Sequence, residues 1–306
     1  MGKHFTLDQI PDMTGKVCIV TGGNTGIGKA CAFAFAKKNA HIIIASRTPS
    51  KALAVVEEIK TETKNELVEF IQLDLLSLAS VTKFASEFKA KKLPLHVLLN
   101  NAGVMACPFA LSEDGYESQF ATNHLAHFYL TMQLLPVLEE SQPSRVVNVS
   151  SWGHNTIYFH GLDLETMNDE AKYTDFISYG RSKAANILFT RELSQRLEQK
   201  GVKGVYVNSC HPGTVNSDLM RHSNSIISSI VKAFMISTED GAITQMYLAT
   251  SPEIEAQDIR GQYYVPFAVP GSVGRHSMSQ ENQTKLWDFS EKILHEKVPG
   301  YEGAGI

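Results

Sequence analysis

Tyr179-Gly180-Arg181-Ser182-Lys183 sets a phenol and an ammonium four residues apart, one above the other on a helix. A free tyrosine titrates near ~10, so at neutral pH it exchanges protons poorly unless its surroundings tune it. An ammonium held close favours the phenolate, and a depression of roughly two units corresponds to about 3 kcal/mol of charge interaction. The spacing therefore predicts an acid/base tyrosine lowered by Lys183. Any amphipathic helix also offers this pair by chance. The elements upstream decide between the two.

The first strand-like run, residues 16–21, ends in Thr21-Gly22-Gly23-Asn24-Thr25-Gly26-Ile27-Gly28 and opens a helical pattern over about 26–38. Glycines there let backbone approach a phosphate, and the helix N-terminus supplies free N–H groups and a partial positive charge. Further strands are expected at 41–46, 67–73, 95–100, 145–150, 202–209 and near 261–265. Helices are expected at about 49–61, 77–89, 114–138, 176–199 and 239–250. Continuously apolar strands with helices between them mean βαβ units and a mainly parallel sheet. The reading is a single α/β domain over 1–306, doubly wound in the Rossmann manner, with seven strands and helices on both faces. Two long insertions, at about 152–177 and 214–237, interrupt the rhythm. Loops of that length inside a domain are usually functional or disordered.

Composition removes several function classes. With 43% hydrophobic residues, 20% charged residues and a formal net charge of -4 in 306 residues, nothing points to nucleic acid or an anionic membrane. Cys18, Cys31, Cys107 and Cys210 form no paired motif, which fits a reducing, cytoplasmic setting. No Cys or His cluster has metal-ligand spacing, and His124 and His127 read as ordinary helix residues. No apolar run approaches the ~20 residues of a membrane span, and the N-terminal stretch does not read as a signal peptide.

The glycine spacing, TGxxxGxG, resembles that of the short-chain dehydrogenase/reductase family. So do Asn100-Asn101-Ala102-Gly103 after the fourth strand, Asn123 in the long helix, Ser150-Ser151 after the fifth strand, Tyr179 with Lys183, and Pro212-Gly213 after the sixth. They occur in the family's order over nearly the whole chain. His211-Pro212-Gly213 and the 28 positions between Ser151 and Tyr179 resemble the retinol-dehydrogenase-like branch and its carbonyl-reducing relatives.

The resemblance implies an enzyme that interconverts a ketone or aldehyde and an alcohol with a nicotinamide cofactor. It implies Tyr179 as general acid/base, Lys183 as its tuner and as a ligand of the nicotinamide ribose, and Asn123 as the holder of a water linked to the lysine. Ser151 is the candidate for orienting the carbonyl, with Ser150 as the alternative. Gly22, Asn24, Thr25, Gly26, Ile27 and Gly28 would cradle phosphate. Asp74 and Leu75 resemble the adenine contacts, and Asn101, Ala102 and Gly103 flank the adenosine ribose. Pro212, Gly213, Thr214 and Val215 resemble the segment touching the carboxamide, with Ser217 near the pyrophosphate.

The second strand ends in Ser46-Arg47, where an acid would reject a 2′-phosphate and an arginine matches it with a bidentate fork, so NADP(H) is expected. Met105, Phe109 and Trp152 suggest a hydrophobic pocket. Leu219, Met220, Ile226, Ile227, Ile230, Phe234 and Met235 suggest an apolar lid over it. Tyr158, Phe159, Tyr173 and Phe176 are either pocket walls or anchors of the long loop. Where family members pair, the resemblance implies a homodimer through the two long helices. A nucleotide sensor that lost its chemistry is the competing class, and it has no need of Asn123, Ser151, Tyr179 and Lys183 together. A double-bond reductase is a further alternative within the enzymes.

Overall fold

Val17–Thr21 (β1) is buried along its whole length, as a parallel strand covered on both faces must be. In the computed structural model, which describes residues 5–215 and 236–306, β1 lies within a single sheet. His41–Ser46 (β2) and Val68–Gln72 (β3) extend it on one side. Val97–Asn100 (β4), Ser144–Val149 (β5), Val205–Cys210 (β6) and Tyr263–Val265 (β7) extend it on the other. These seven strands run parallel, in the order β3-β2-β1-β4-β5-β6-β7. The order reverses between β1 and β4, the switch point at which open α/β sheets bind ligands.

The sheet has one strand more than expected. Val269–Pro270 (β8) folds back antiparallel on β7, pairing Tyr264 with Pro270 and Val265 with Val269. Two residues carry no periodicity, so sequence pattern has nothing to detect there.

The covering helices are Gly26–Ala36 (α1), Pro49–Thr63 (α2), Leu78–Ala90 (α3), Ala126–Glu140 (α4), Asp175–Gln199 (α5), Thr238–Thr250 (α6) and Gln280–Lys297 (α7). α1, α2 and α6 share one apolar core with Phe5, Ile10 and Met13 of the N-terminal segment. α3, α4, α5 and α7 share the other, on the opposite face. No helix among the described residues is long and apolar enough to cross a membrane.

The helix expected over 114–138 starts later. Gly115 is in a left-handed turn, and the buried Glu117 carboxylate accepts the N–H groups of Gln119 and Phe120, capping the turn Ser118–Phe120. A π-helical stretch, Ala121–Leu125, then leads into α4. The insertion after β5 is ordered in pieces: 3-10 turns at Trp152–Thr156 and Glu170–Lys172, and a short helix at Ile157–His160.

The helix α7 is the larger surprise, because no element was expected beyond the last strand. Its Trp287 meets Phe128 of α4 at 5.0 Å and Phe189 of α5 at 6.2 Å between ring centres. Arg196 of α5 stacks over the same indole at 4.3 Å. This helix covers part of both long helices from within the same chain.

His124 and His127 stand in the helical stretch. Both are buried, and burial holds their imidazoles down to about 3 and about 4 from the usual 6.5. The unfolded chain takes up protons below about 6.5 while the folded chain does not, so stability is lost as pH falls from 6.5 towards 4. The urea midpoint should therefore drop between about pH 7.5 and 5, by the equivalent of about 2 kcal/mol per histidine. A midpoint that stays level over this range would contradict the buried neutral state.

Candidate active site

A cavity of about 540 Å³ opens at the carboxyl ends of β1, β4, β5 and β6. Its walls bring together Gly22, Thr25, Gly26, Ile27 and Gly28 from the first turn, Asn101, Ala102 and Gly103 after β4, and Pro212, Gly213, Thr214 and Val215 after β6. Ser150, Ser151, Tyr179 and Lys183 lie on the same wall system. Asn24, Ser46, Arg47, Asp74 and Leu75 are not among its lining residues.

The first turn is built by close approach. Gly22 takes a positive φ of 66°, and a Cβ on Gly28 would overlap the Gly22 carbonyl oxygen. Only glycine permits that spacing between the strand end and the first turn of α1. The neighbouring backbone is pinned to it: Asn101 Nδ2 donates to the Thr21 carbonyl at 2.9 Å, and the N–H groups of Asn101 and Ala102 donate to Thr21 Oγ1 at 2.9 and 3.0 Å. On the β6 side, Gly213 N–H donates to His211 Nδ1 at 3.0 Å. His211 stacks on Tyr263 at 6.0 Å, and burial holds its imidazole down to about 4.

At the end of β2 the Ser46 side chain is buried, and its hydroxyl finds no hydrogen-bond partner in the protein. Arg47 follows on the exposed rim, where its carbonyl accepts from Gln72 Nε2. Asp74 is engaged locally, its carboxylate accepting the Leu76 N–H at 3.0 Å, and Leu75 belongs to the apolar core.

The chemical end of the cavity is formed by β5 and α5. Tyr179 and Lys183 are 3% exposed each. The Ser151 hydroxyl shares a hydrogen bond with the Tyr179 phenol and accepts the Gly153 N–H at 3.1 Å. Ser150 is spent elsewhere: its hydroxyl donates to the Lys183 carbonyl at 2.7 Å, tying the end of β5 to α5. Of the two serines, the geometry therefore puts Ser151 beside the tyrosine.

The expected depression of the phenol does not hold in this structure. Burial pushes Tyr179 up to about 12, opposed by the hydrogen bond from Ser151. Lys183 Nζ lies 5.9 Å from the ring centre and donates to the Val149 carbonyl at 3.0 Å. Desolvation outweighs the Ser151 hydrogen bond, and it also pulls Lys183 itself down to about 8.

Asn123 sits in the π-helical stretch, a geometry common at functional sites. Its side chain is fully engaged: Oδ1 accepts the Val104 N–H at 2.8 Å, while Nδ2 donates to the Val104 carbonyl and to Ser182 Oγ, both at 2.9 Å. Its carbonyl meets His127 Nδ1 at 3.1 Å. The side chain thus clamps the loop after β4 onto α5.

Met105, Trp152 and Phe176 line the outer cavity, and Trp152 is 68% exposed. Phe109 does not join them; it packs edge-on against Tyr173 at 5.3 Å. Tyr173 anchors its loop, donating to the Cys107 carbonyl at 2.6 Å and accepting from Gln119 Nε2 at 2.8 Å. Ser217 and the expected lid from Leu219 to Met235 lie outside the described residues, as do the side chains of Tyr158 and Phe159.

Gly180, Thr21 and Ser182 were given no role of their own in the sequence, and His127 read there as an ordinary helix residue. Gly180 was in view inside the Tyr-Lys spacing, and His127 falls one helical turn after Asn123, on the same face.

Comparison with known proteins agrees with this geometry. A family model described as short chain dehydrogenase matches residues 16–161 and 165–227. Human Retinol dehydrogenase 11 is 40% identical over 290 residues, covering 94% of this chain and 87% of its own. Short-chain dehydrogenase TIC 32 A, chloroplastic, from Brassica napus is 39% identical over 290 residues, covering 92% and 89%. The crystal structure of an uncharacterized protein from Mycobacterium Paratuberculosis superposes with a TM-score of 0.76 at 30% identity, over 95% of this chain and 97% of that one. The chain belongs to the short chain dehydrogenase family. It is an alcohol/carbonyl oxidoreductase of the retinol-dehydrogenase-like branch, a family that uses NAD(P) cofactors.

Gly180 offers a direct check on the site. Alanine is favoured over glycine inside a helix by about 1 kcal/mol, yet a Cβ here would overlap Thr156 Oγ1 and crowd the Gly153 carbonyl. Gly180→Ala should destabilise by about 1–3 kcal/mol as the Trp152–Thr156 turn is pushed off α5. It should also lower kcat/KM, because that turn starts at Ser151. A raised melting temperature with intact turnover would show that the contact is slack.

Proposed function

We propose that this chain is an NADP(H)-dependent carbonyl reductase that converts a hydrophobic ketone or aldehyde to its alcohol. The observation that carries the reading is the meeting of Tyr179, Ser151 and Lys183 at the inner end of a cavity whose outer wall is Met105, Trp152 and Phe176.

The cofactor choice rests on the end of β2. Ser46 has a buried hydroxyl without a partner in the protein, and Arg47 beside it carries a charge suited to a 2′-phosphate. A dinucleotide would be held by Gly22, Gly26 and Gly28 at its phosphates, by Asn101 at the adenosine ribose, and by Lys183 and Gly213 nearer the reacting end. When bound it supplies the hydride. The protein's own residues do the rest. Ser151 orients the carbonyl oxygen by hydrogen bonding, and Tyr179 gives that oxygen its proton.

Burial keeps the Tyr179 phenol in its proton-bearing form. A phenol pushed up to about 12 stays protonated at neutral pH, which suits a donor and disfavours the phenolate that alcohol oxidation needs. Lys183, held down to about 8, exchanges its proton readily near neutral pH. We place the enzyme in the cytoplasm, where free cysteines such as the buried Cys18, Cys31 and Cys210 stay reduced.

Tyr179→Phe should lower kcat for carbonyl reduction by about 10²–10⁴-fold while NADPH still binds. Near wild-type turnover in that variant would sink the mechanism. Arg47→Ala should raise the KM for NADPH by roughly 10–100-fold, the worth of a charge-assisted phosphate contact, and leave NADH little changed. A wild-type enzyme with higher kcat/KM for NADH would overturn the cofactor assignment.

A further inference from the structure

His127 lies outside the expected machinery, yet hydrogen-bond accounting gives it a definite task. Its Nδ1 is 3.1 Å from the Asn123 carbonyl, which can only accept, so Nδ1 carries the proton. Burial keeps the ring neutral, which leaves Nε2 as an acceptor. Thr21 Oγ1, 2.9 Å from Nε2, must then donate its hydrogen to the ring. The Leu99 carbonyl, at 3.4 Å, is the poorer alternative for that hydrogen. With its proton committed, Thr21 Oγ1 has two acceptor positions, and the N–H groups of Asn101 and Ala102 take both at 2.9 and 3.0 Å.

Every bond in this chain points the same way. It runs from the backbone after β4, through Thr21 and the imidazole, to the carbonyl of the π-helical stretch. We propose that His127 is a positioning residue that holds the Asn123 stretch and the cavity-lining backbone at Asn101–Ala102 in one fixed register through Thr21. Asn101 and Ala102 line the cavity, and the Asn123 side chain fixes Val104 on the same loop from its other side. The loop is thus gripped at two points, both connected to the same helical turn. The inference rests on the reading that this cavity binds a nicotinamide dinucleotide.

The test is a fluorescence titration of the full chain with NADPH and with NADH, alongside circular dichroism and thermal melting. His127→Phe keeps a planar aromatic ring, somewhat larger than imidazole, and removes both hydrogen bonds. It should weaken binding of the preferred dinucleotide by about tenfold or more while the chain stays folded. His127→Gln, with one donor and one acceptor on its amide, should recover most of that loss. Thr21→Val combined with His127→Phe should cost no more than the worse single change, because both break one chain of bonds. Binding by His127→Phe within twofold of wild type, or additive losses in the double variant, would overturn the proposal.

If His127→Phe does not fold, ¹⁵N labelling of the wild-type histidines reads the tautomer directly. A protonated Nδ1 with a bare Nε2 supports the assignment, and the reverse overturns it. A wild-type chain that binds dinucleotide but reduces no carbonyl sinks the proposed activity alone, while the titrations still judge His127. A wild-type chain that binds neither dinucleotide removes both.

Discussion

A buried ammonium is the constraint around which this site is built. Lys183 is almost wholly withdrawn from water, and the Val149 carbonyl accepts a hydrogen bond from it. Taking a charge out of water costs several kcal/mol unless polar groups replace the solvent. That requirement brings the end of β5 against α5 and holds it there with Asn186, which donates to the same carbonyl, and Ser150, which ties back to the Lys183 backbone. It also calls for a residue without a side chain on the facing loop, since a Cβ on Gly103 would come within 3.1 Å of the ammonium. The lowered affinity of Lys183 for its proton is the measure of how incomplete the replacement of solvent is.

The two halves of the cavity are made of different materials. The side that faces the first turn is mostly backbone, brought close by glycines and locked by Thr21 and Asn101. The outer side is made of large apolar side chains, Met105 on the connection before α4, Trp152 in the turn after β5 and Phe176 in the first turn of α5. Backbone reads a ligand part that never changes, and side chains on loops are free to vary with the substrate. The division matches an enzyme family with one cofactor class and many substrates.

Much of this was legible in the chain itself. Apolar runs of β1, β2, β4, β5 and β6 predicted a parallel sheet because strands buried on both faces leave continuous hydrophobic stretches. The glycine turn and the Tyr179–Lys183 spacing were visible because each depends on residue type at short range. What stayed hidden depends on long-range packing. The direction of the Tyr179 shift follows from how much protein surrounds the phenol, which spacing cannot reveal. The engagement of the Asn123 side chain depends on Val104 and Ser182, and the role of His127 on Thr21, 106 positions away. Phe109 looked like a pocket residue because it is aromatic and near Met105, but its ring is taken by Tyr173.

The helix α7 has a consequence for how the molecule is made. The back of the acid/base helix, at Phe189, and its neighbour Phe128 are closed by Trp287, about a hundred residues further along the chain. During synthesis from the N-terminus, the sheet, the glycine turn and even Tyr179 are out of the ribosome while that aromatic face still has nothing to bury it. Loop closure over such a separation delays the last packing step. Until α7 docks, Phe128 and Phe189 lack their Trp287 cover, so the packing of this helix is finished by a segment far along the chain.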